Sequence, residues 1–409
     1  MRPSIMTHCR ACGSERMFLF LPMGDHPPAN MFVRPEDADQ PQPAFPLNTQ
    51  ACLDCGMIQA ADQIPDGFFR HYLYIPSGAA TMHDHFEGLA RVLSDRADGG
   101  MIVDIGCNDG LMLGFANRMG AKTLGIDPAA NLAEKAAELG VQVHVAYFSP
   151  ETADEVRTLH GPAQVISTTN TLNHIGDLVG FMDGIKRLLA DDGWFVIEVP
   201  WGREIVASNQ FDNVYHEHLS EMSLRSLVKL AERTGMAVVD VTRLPVHGGS
   251  MRVFIRKAGA ATPPSPEVIQ MLAEEDAAGM NDAPAFEAFA ARAHDVGEAL
   301  RKLLAELKAE GATIAGYGAP AKGNTLLNFF DIGPETLDYL VDRNPLKQGL
   351  LSPGKHIPIY DPAVLADDPP DYLLVLAWNF FDEIRTQLAD YEAAGGRFIL
   401  PLPYPRIVI

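Results

Sequence analysis

Val103-Asp104-Ile105-Gly106-Cys107-Asn108-Asp109-Gly110 decides the fold of this chain. An apolar strand signal, 100–105, runs into it, and an apolar stretch leaves it. The glycines let backbone approach a ligand with no Cβ in the way. One strand later, Leu124-Gly125-Ile126-Asp127 places a carboxylate where it can accept both hydroxyls of a ribose. Gly106 to Asp127 spans 21 positions, the reach of one helix and one strand. A dinucleotide fingerprint would read Gly-x-Gly-x-x-Gly. Here Gly106 and Gly110 are parted by three residues and preceded by Asp104. On these residues alone, a tight strand–helix turn with no ligand remains open.

Outward from the turn, residues 83–97 and 129–139 read as helices, and 141–145, 163–168 and 194–199 as strands. Strands alternating with helices predict an α/β fold with a parallel, doubly wound sheet. A helix over 223–234 follows, then strands at 237–242 and 251–257. Only Arg-Leu-Pro-Val-His-Gly-Gly-Ser joins these two, so they are expected to pair as a hairpin. A parallel sheet ending in a hairpin is the layout of class I methyltransferases. The Asp-x-Gly-x-x-x-Gly form resembles their S-adenosylmethionine turn. That likeness implies that Asp104 orients the turn or the methionine end and that Gly106, Asn108 and Gly110 surround the ligand. It also implies that Asp127 holds the ribose. Asn170, after the fourth strand, is expected in the same cleft, with Tyr147 and Phe148 over the adenine.

Upstream, residues 1–75 are rich in proline and poor in helix signals. Cys9-Arg-Ala-Cys12 and Cys52-Leu-Asp-Cys55 form Cys-x2-Cys-x39-Cys-x2-Cys, and four thiolates suit tetrahedral Zn²⁺. Four cysteine ligands leave no open position, so the metal is expected to be structural. Cys107 is left over, as an unreactive small residue in the turn. Downstream, Pro263-Pro-Ser-Pro266 marks a boundary. About 45 helical residues lead to a second α/β unit, with strands at 313–317, 337–341, 372–377 and 397–400 and helices at 321–329 and 382–394. The expected units are a zinc-binding module (1–75), a cofactor-binding Rossmann-like domain (76–262), and a helical linker with a C-terminal Rossmann-like lobe (263–409).

Composition narrows the partners. A net charge of −21 repels phosphate backbones at long range, which argues against nucleic acid as a partner. No run of eighteen apolar residues occurs, so no membrane span is expected. The first residues lack the apolar core of a secretory signal, which points to the cytosol. A monomer is preferred, because each unit looks able to bury its own faces.

The chemistry concentrates in Phe211-Asp-Asn-Val-Tyr215-His216-Glu217-His218-Leu-Ser220. This loop follows the fifth strand, over the carboxyl ends where ligands bind. Histidine is matched to proton transfer near neutral pH, and a tyrosine can hydrogen-bond a developing oxyanion. His174, after the fourth strand, is expected to face the same cleft. His-Glu-His could instead hold a metal, although the spacing is not that of a His-Glu-x-x-His helix, and a plain surface loop also remains open.

Taken together, these segments resemble the three-domain sugar C-methyltransferases that act on nucleotide-linked keto-deoxysugars. The likeness runs almost end to end. It rests on the four-cysteine module, Tyr72-Leu-Tyr74-Ile-Pro-Ser77, the glycine turn, the Tyr-His-Glu-His-x-Ser loop, and Tyr317-Gly-Ala-Pro-Ala-Lys322-Gly-Asn-Thr-Leu326. The resemblance implies methylation of a carbon next to a ketone, with S-adenosylmethionine as cofactor, Zn²⁺ as structural metal and a small nucleotide-sugar, dTDP-linked, as acceptor. His218 would remove the α-proton with help from Glu217. Tyr215 and His174 would hold the enolate oxygen, and Tyr72 or Tyr74 would line the sugar pocket. Ser77, His216, His247, Ser250, Arg252, Tyr317 and Lys322 are the candidate substrate contacts. The alternatives are an O- or N-methyltransferase, a zinc-bearing binding protein, and an NAD-dependent oxidoreductase. The last would use Gly316-Tyr-Gly318 of the C-terminal lobe with Asp342.

Overall fold

A computed structural model describes residues 5–62 and 80–408. Tyr72, Tyr74 and Ser77 therefore lie outside the described residues.

The N-terminal module is built on an antiparallel sheet of β1 (Met17–His26), β2 (Phe45–Cys52), β3 (Ile58–Ala60) and a distant fourth strand, β9 (Ser220–Glu221). β1 hides from sequence reading because its pairing slips at Leu19/Leu21 and again across Pro22–Asp25, which breaks the two-residue period. β9 belongs to the reactive loop: Ile58 lies opposite Glu221 and Gln59 opposite Ser220. The module thus templates a piece of backbone some 160 residues away.

The central sheet has seven strands: β4 (Met101–Ile105), β5 (Lys122–Ile126), β6 (Val143–His144), β7 (Ala163–Thr169), β8 (Leu189–Pro200), β10 (Met236–Leu244) and β11 (Ser250–Lys257). Their order is β6-β5-β4-β7-β8-β11-β10. The first five run parallel, and β11 returns antiparallel against both β8 and β10. This is the expected parallel sheet closed by a hairpin. Ile102, Val103 and Ile105 of β4 are buried on both faces, which is why that strand reads as a continuous apolar run. The predicted third strand is only two residues long.

The C-terminal lobe carries β12 (Ile314–Tyr317), β13 (Leu340–Val341), β14 (Ile359–Tyr360), β15 (Tyr372–Val375), β16 (Arg397–Leu400) and β17 (Arg406–Val408), in the order β14-β13-β12-β15-β16-β17. Only β17 is antiparallel. The helix expected over 382–394 is split into Phe381–Gln387 and Ala389–Ala393.

The units do not bury their faces separately, contrary to expectation. Phe20, Leu21 and Leu47 of the first module share one core with Phe211 and Val214, with Phe286 and Phe289 of the helix Ala283–Ala309, and with Ile314 and Leu326 of the lobe. Val33 bridges to Leu351, and Asn324 Nδ2 donates to Ala29 O at 2.8 Å. No helix among the described residues is long and apolar enough to cross a membrane.

Candidate active site

The two cysteine pairs converge. Cys9 Sγ lies 3.6 Å from Cys55 Sγ, and Cys12 Sγ 3.5 Å from Cys52 Sγ. All four sulfurs fall within 4.8 Å of one another. A tetrahedron with zinc–sulfur bonds of about 2.3 Å has sulfur–sulfur edges of about 3.8 Å, so the donor set fits Zn²⁺ with no ligand missing. The clamp is tied to the reactive loop. The buried Arg10, between two of the ligands, donates from Nη1 to Ala60 O at 3.0 Å and to Leu219 O at 2.9 Å. Ser223 Oγ donates to Cys55 O at 2.5 Å.

At the carboxyl ends of β4, β5 and β7 opens a cleft of about 1250 Å³. Asp104, Gly106, Asn108, Asp127, Tyr147, Phe148 and Asn170 all line it. Gly106 has φ +75°, and a Cβ there would meet Thr171 Oγ1 at 2.2 Å, so only glycine fits. Asp104 is buried and accepts from Ser167 Oγ at 2.7 Å, and burial pushes its carboxyl up to about 7. Asp127 shapes the turn itself. Oδ2 accepts from Asn108 N at 3.0 Å and Oδ1 from Ala129 N at 2.8 Å. Each oxygen keeps a second lone pair for a ribose hydroxyl. Phe148 packs edge-on against Phe181, while Tyr147 is 68 % exposed at the rim. Gly110 opens the helix Leu111–Arg118 in a left-handed conformation and packs on Ala136 instead of lining the cleft.

The reactive loop forms the facing wall. Glu217, His174 and His247 line the cleft. His218 stands beside His174, ring centroids 5.0 Å apart, and Tyr215 stacks on it at 4.0 Å. About a tenth of the His218 side chain remains exposed. Glu217 does not reach either nitrogen of His218. Asn30 Nδ2 donates to both its oxygens at 2.8 Å, and burial pushes the carboxyl up to about 7. The carboxylate that does hold His218 is Glu221, whose Oε1 lies 2.7 Å from Nδ1, while Asn173 Nδ2 donates to Oε2 at 2.9 Å. Sequence reading missed Glu221, Asn173 and Asn30. Only Glu221 left a local trace, a carboxylate three positions beyond the histidine. His174 donates from Nδ1 to Glu217 O at 2.8 Å. Burial holds the rings of His174 and His218 well below the usual imidazole range, hence neutral. A neutral His174 that donates from Nδ1 carries its lone pair on Nε2, so it is an acceptor toward the cleft and not the expected oxyanion donor.

Several expected substrate contacts are engaged elsewhere. His216 turns to the first module, with Nε2 3.2 Å from both Phe45 O and Pro46 O. Ser250 Oγ donates to Val246 O at 3.0 Å, closing the hairpin. Arg252 is buried against Glu198, Nε to Oε1 2.5 Å, because β11 and β8 pair these two residues directly; the same carboxylate also meets His85 Nε2 at 2.6 Å. Tyr317 is buried in the core of the lobe. Two contacts fit better. His247, at φ +54°, keeps a buried Nε2 with no hydrogen-bond partner among the described residues. Lys322 is half-buried, 5.6 Å over the Trp378 ring, and its charge is felt by Asp212, Glu221, His218 and His247.

Comparison with known proteins settles the class. Residues 9–67 match a family model described as a zinc binding domain, 79–241 a methyltransferase domain, and 245–403 a C-methyltransferase C-terminal domain. The C-methyltransferase NovU of Streptomyces niveus is 38 % identical over 404 residues, covering 98 % of this chain and 96 % of NovU. This chain belongs to the C-methyltransferase family. Solved structures align more loosely with this C-methyltransferase. The magnesium protoporphyrin IX methyltransferase ChlM of Synechocystis PCC 6803, with bound S-adenosylmethionine, is 11 % identical over 42 % of this chain and 79 % of its own, at TM-score 0.33. The CcbJ methyltransferase of Streptomyces caelestis is 13 % identical over 42 % and 89 %, at TM-score 0.35. The enzyme is an S-adenosylmethionine-dependent C-methyltransferase with a zinc-binding module.

Proposed function

We propose that the acceptor is a nucleotide-linked keto-deoxysugar, dTDP-linked in the first instance, methylated at the carbon next to its ketone. The supporting observation is the cluster of Tyr215, Glu217, His218 and His174 against the cofactor cleft. An α-proton of a ketone is too weakly acidic to leave unaided. A positioned base contributes typically 10²–10⁴-fold, and donors to the developing oxyanion supply more. His218 is the base, neutral at pH 7 and able to take the proton on Nε2. The electron pair of the broken C–H bond moves onto the ketone oxygen. Tyr215 OH donates to that oxygen, and Glu217, partly protonated near neutral pH, is a second donor on the wall. S-adenosylmethionine supplies the electrophilic methyl group. Asp127, Asp104 and the turn would hold and orient it. Lys322 and the unpartnered His247 Nε2 stand ready for the polar groups of the acceptor. Tyr72, Tyr74 and Ser77 are kept as candidate sugar contacts. The chain acts in the cytoplasm, without nucleic acid or membrane.

The test is turnover against a small panel of nucleotide-linked keto sugars, read by mass spectrometry and NMR. A product with a new carbon-bound methyl group is expected. Methyl found only on oxygen or nitrogen, or no turnover across the panel, overturns the acceptor assignment.

A further inference from the structure

We infer that Glu221, and not the neighbouring Glu217, is the positioning residue for His218: it fixes the imidazole as the tautomer whose Nε2 lone pair is available to a carbon acid. A neutral imidazole carries one N–H, and the partner of one nitrogen decides which. Glu221 Oε1 sits 2.7 Å from Nδ1, and an ionised carboxylate can only accept. With Glu221 ionised, the proton is on Nδ1 and the lone pair on Nε2; the ring also meets the backbone carbonyl of Asn213.

Three features keep Glu221 in place. Its other oxygen takes the amide of Asn173 at 2.9 Å. Its backbone is pinned to Ile58 in the sheet of the zinc-binding module. The residue is 1 % exposed, so water does not compete for the carboxylate. The charged and titratable groups facing the pair are Lys322 at the start of the helix Ala321–Phe329, Asp212 in the turn Phe211–Asn213, and His174, Tyr215 and His247. Burial pushes both groups toward their neutral forms, Glu221 up and His218 down, while the Lys322 charge and the Asn173 amide pull Glu221 back toward the carboxylate. With Glu221 ionised the one ring proton is on Nδ1; a protonated Glu221 would donate to Nδ1 and leave that proton on Nε2, the alternative that the test below separates. Glu217 serves His174 in the same sense through its backbone carbonyl, so both rings are held from the Nδ1 side.

The inference rests on His218 being the base, but its test needs no turnover. In ¹⁵N-histidine-labelled protein with S-adenosylhomocysteine, two-bond ¹H–¹⁵N spectra, assigned with H218Q, report which nitrogen carries the proton. An Nδ1–H, Nε2 lone-pair form is expected. E221Q should turn it into a tautomer mixture and lower kcat 10²–10⁴-fold with KM nearly unchanged, and E221D should recover part of the loss. His218 protonated on Nε2 in the parent protein, or a tautomer and kcat unaltered in E221Q, overturns the inference. Should E221Q fail to fold, the parent spectrum alone decides it. A confirmed Nε2 lone pair together with a fully active H218A would sink the base assignment while leaving the tautomer intact.

Discussion

Gly106→Ala probes whether the turn is built by sterics. At φ +75° a residue with a Cβ costs about 1–2 kcal/mol. The new Cβ would meet Thr171 at Oγ1 (2.2 Å), Cγ2 (2.9 Å) and Cβ (3.0 Å), so Thr171 must move. Leaving its rotamer costs about 0.5–1.5 kcal/mol. Its hydroxyl also loses the 3.1 Å hydrogen bond to Thr169 O, about 1 kcal/mol more. The variant should therefore lose roughly 2–5 kcal/mol of stability in denaturant unfolding, and its affinity for S-adenosylhomocysteine should fall by at least tenfold in calorimetry. Thr171→Ala removes Oγ1 and Cγ2, so the double variant should regain the steric part and keep only the backbone strain. That is a coupling of about 1–3 kcal/mol in a double-mutant cycle. A G106A protein with parent stability and affinity, or a cycle with no coupling, would refute the steric argument.

Cys55→Ser should lower bound zinc in metal analysis. Because Cys55 and β3 hold Ser223 and β9, turnover should fall well before affinity for S-adenosylhomocysteine does; retained turnover in metal-free protein would contradict this. Glu217 gives a pH signature. Its folded value, raised to about 7 by burial, lies above the unfolded one, so its contribution to stability is fully present below about pH 4.5 and is lost as pH rises to about 7. The loss approaches 3 kcal/mol at 1.4 kcal/mol per tenfold. E217Q should flatten the unfolding free energy over that window, and a curve parallel to the parent's would count against the raised value.

What the sequence disclosed was local or periodic. The turn from Asp104 to Gly110 and the carboxylate of Asp127 sit at fixed distances along one strand–helix–strand unit. The paired cysteines announce themselves by spacing, and the eight-residue link between the strands predicted at 237–242 and 251–257 leaves a hairpin as the natural solution. What stayed hidden depends on register or on distance along the chain. Arg252 looks like a substrate contact until β11 is aligned with β8, which sets it against Glu198. His216 looks like a substrate contact two positions from His218, but it turns to the carbonyls of Phe45 and Pro46. Asn30 meets Glu217 across 187 positions from a proline-rich segment with no periodicity to read. β1 was concealed by its own bulges, and the shared core by the clean proline boundary at 263–266.

The central claim is that His218 takes the proton from carbon, and α-proton exchange tests it most directly. With S-adenosylhomocysteine bound, nucleotide-linked keto sugars in D₂O are followed by NMR. The parent enzyme should exchange the hydrogen next to the ketone of its acceptor. His218→Ala, still folded and still binding S-adenosylhomocysteine, should slow that exchange by 10²-fold or more. Exchange by His218→Ala at the parent rate would contradict the account.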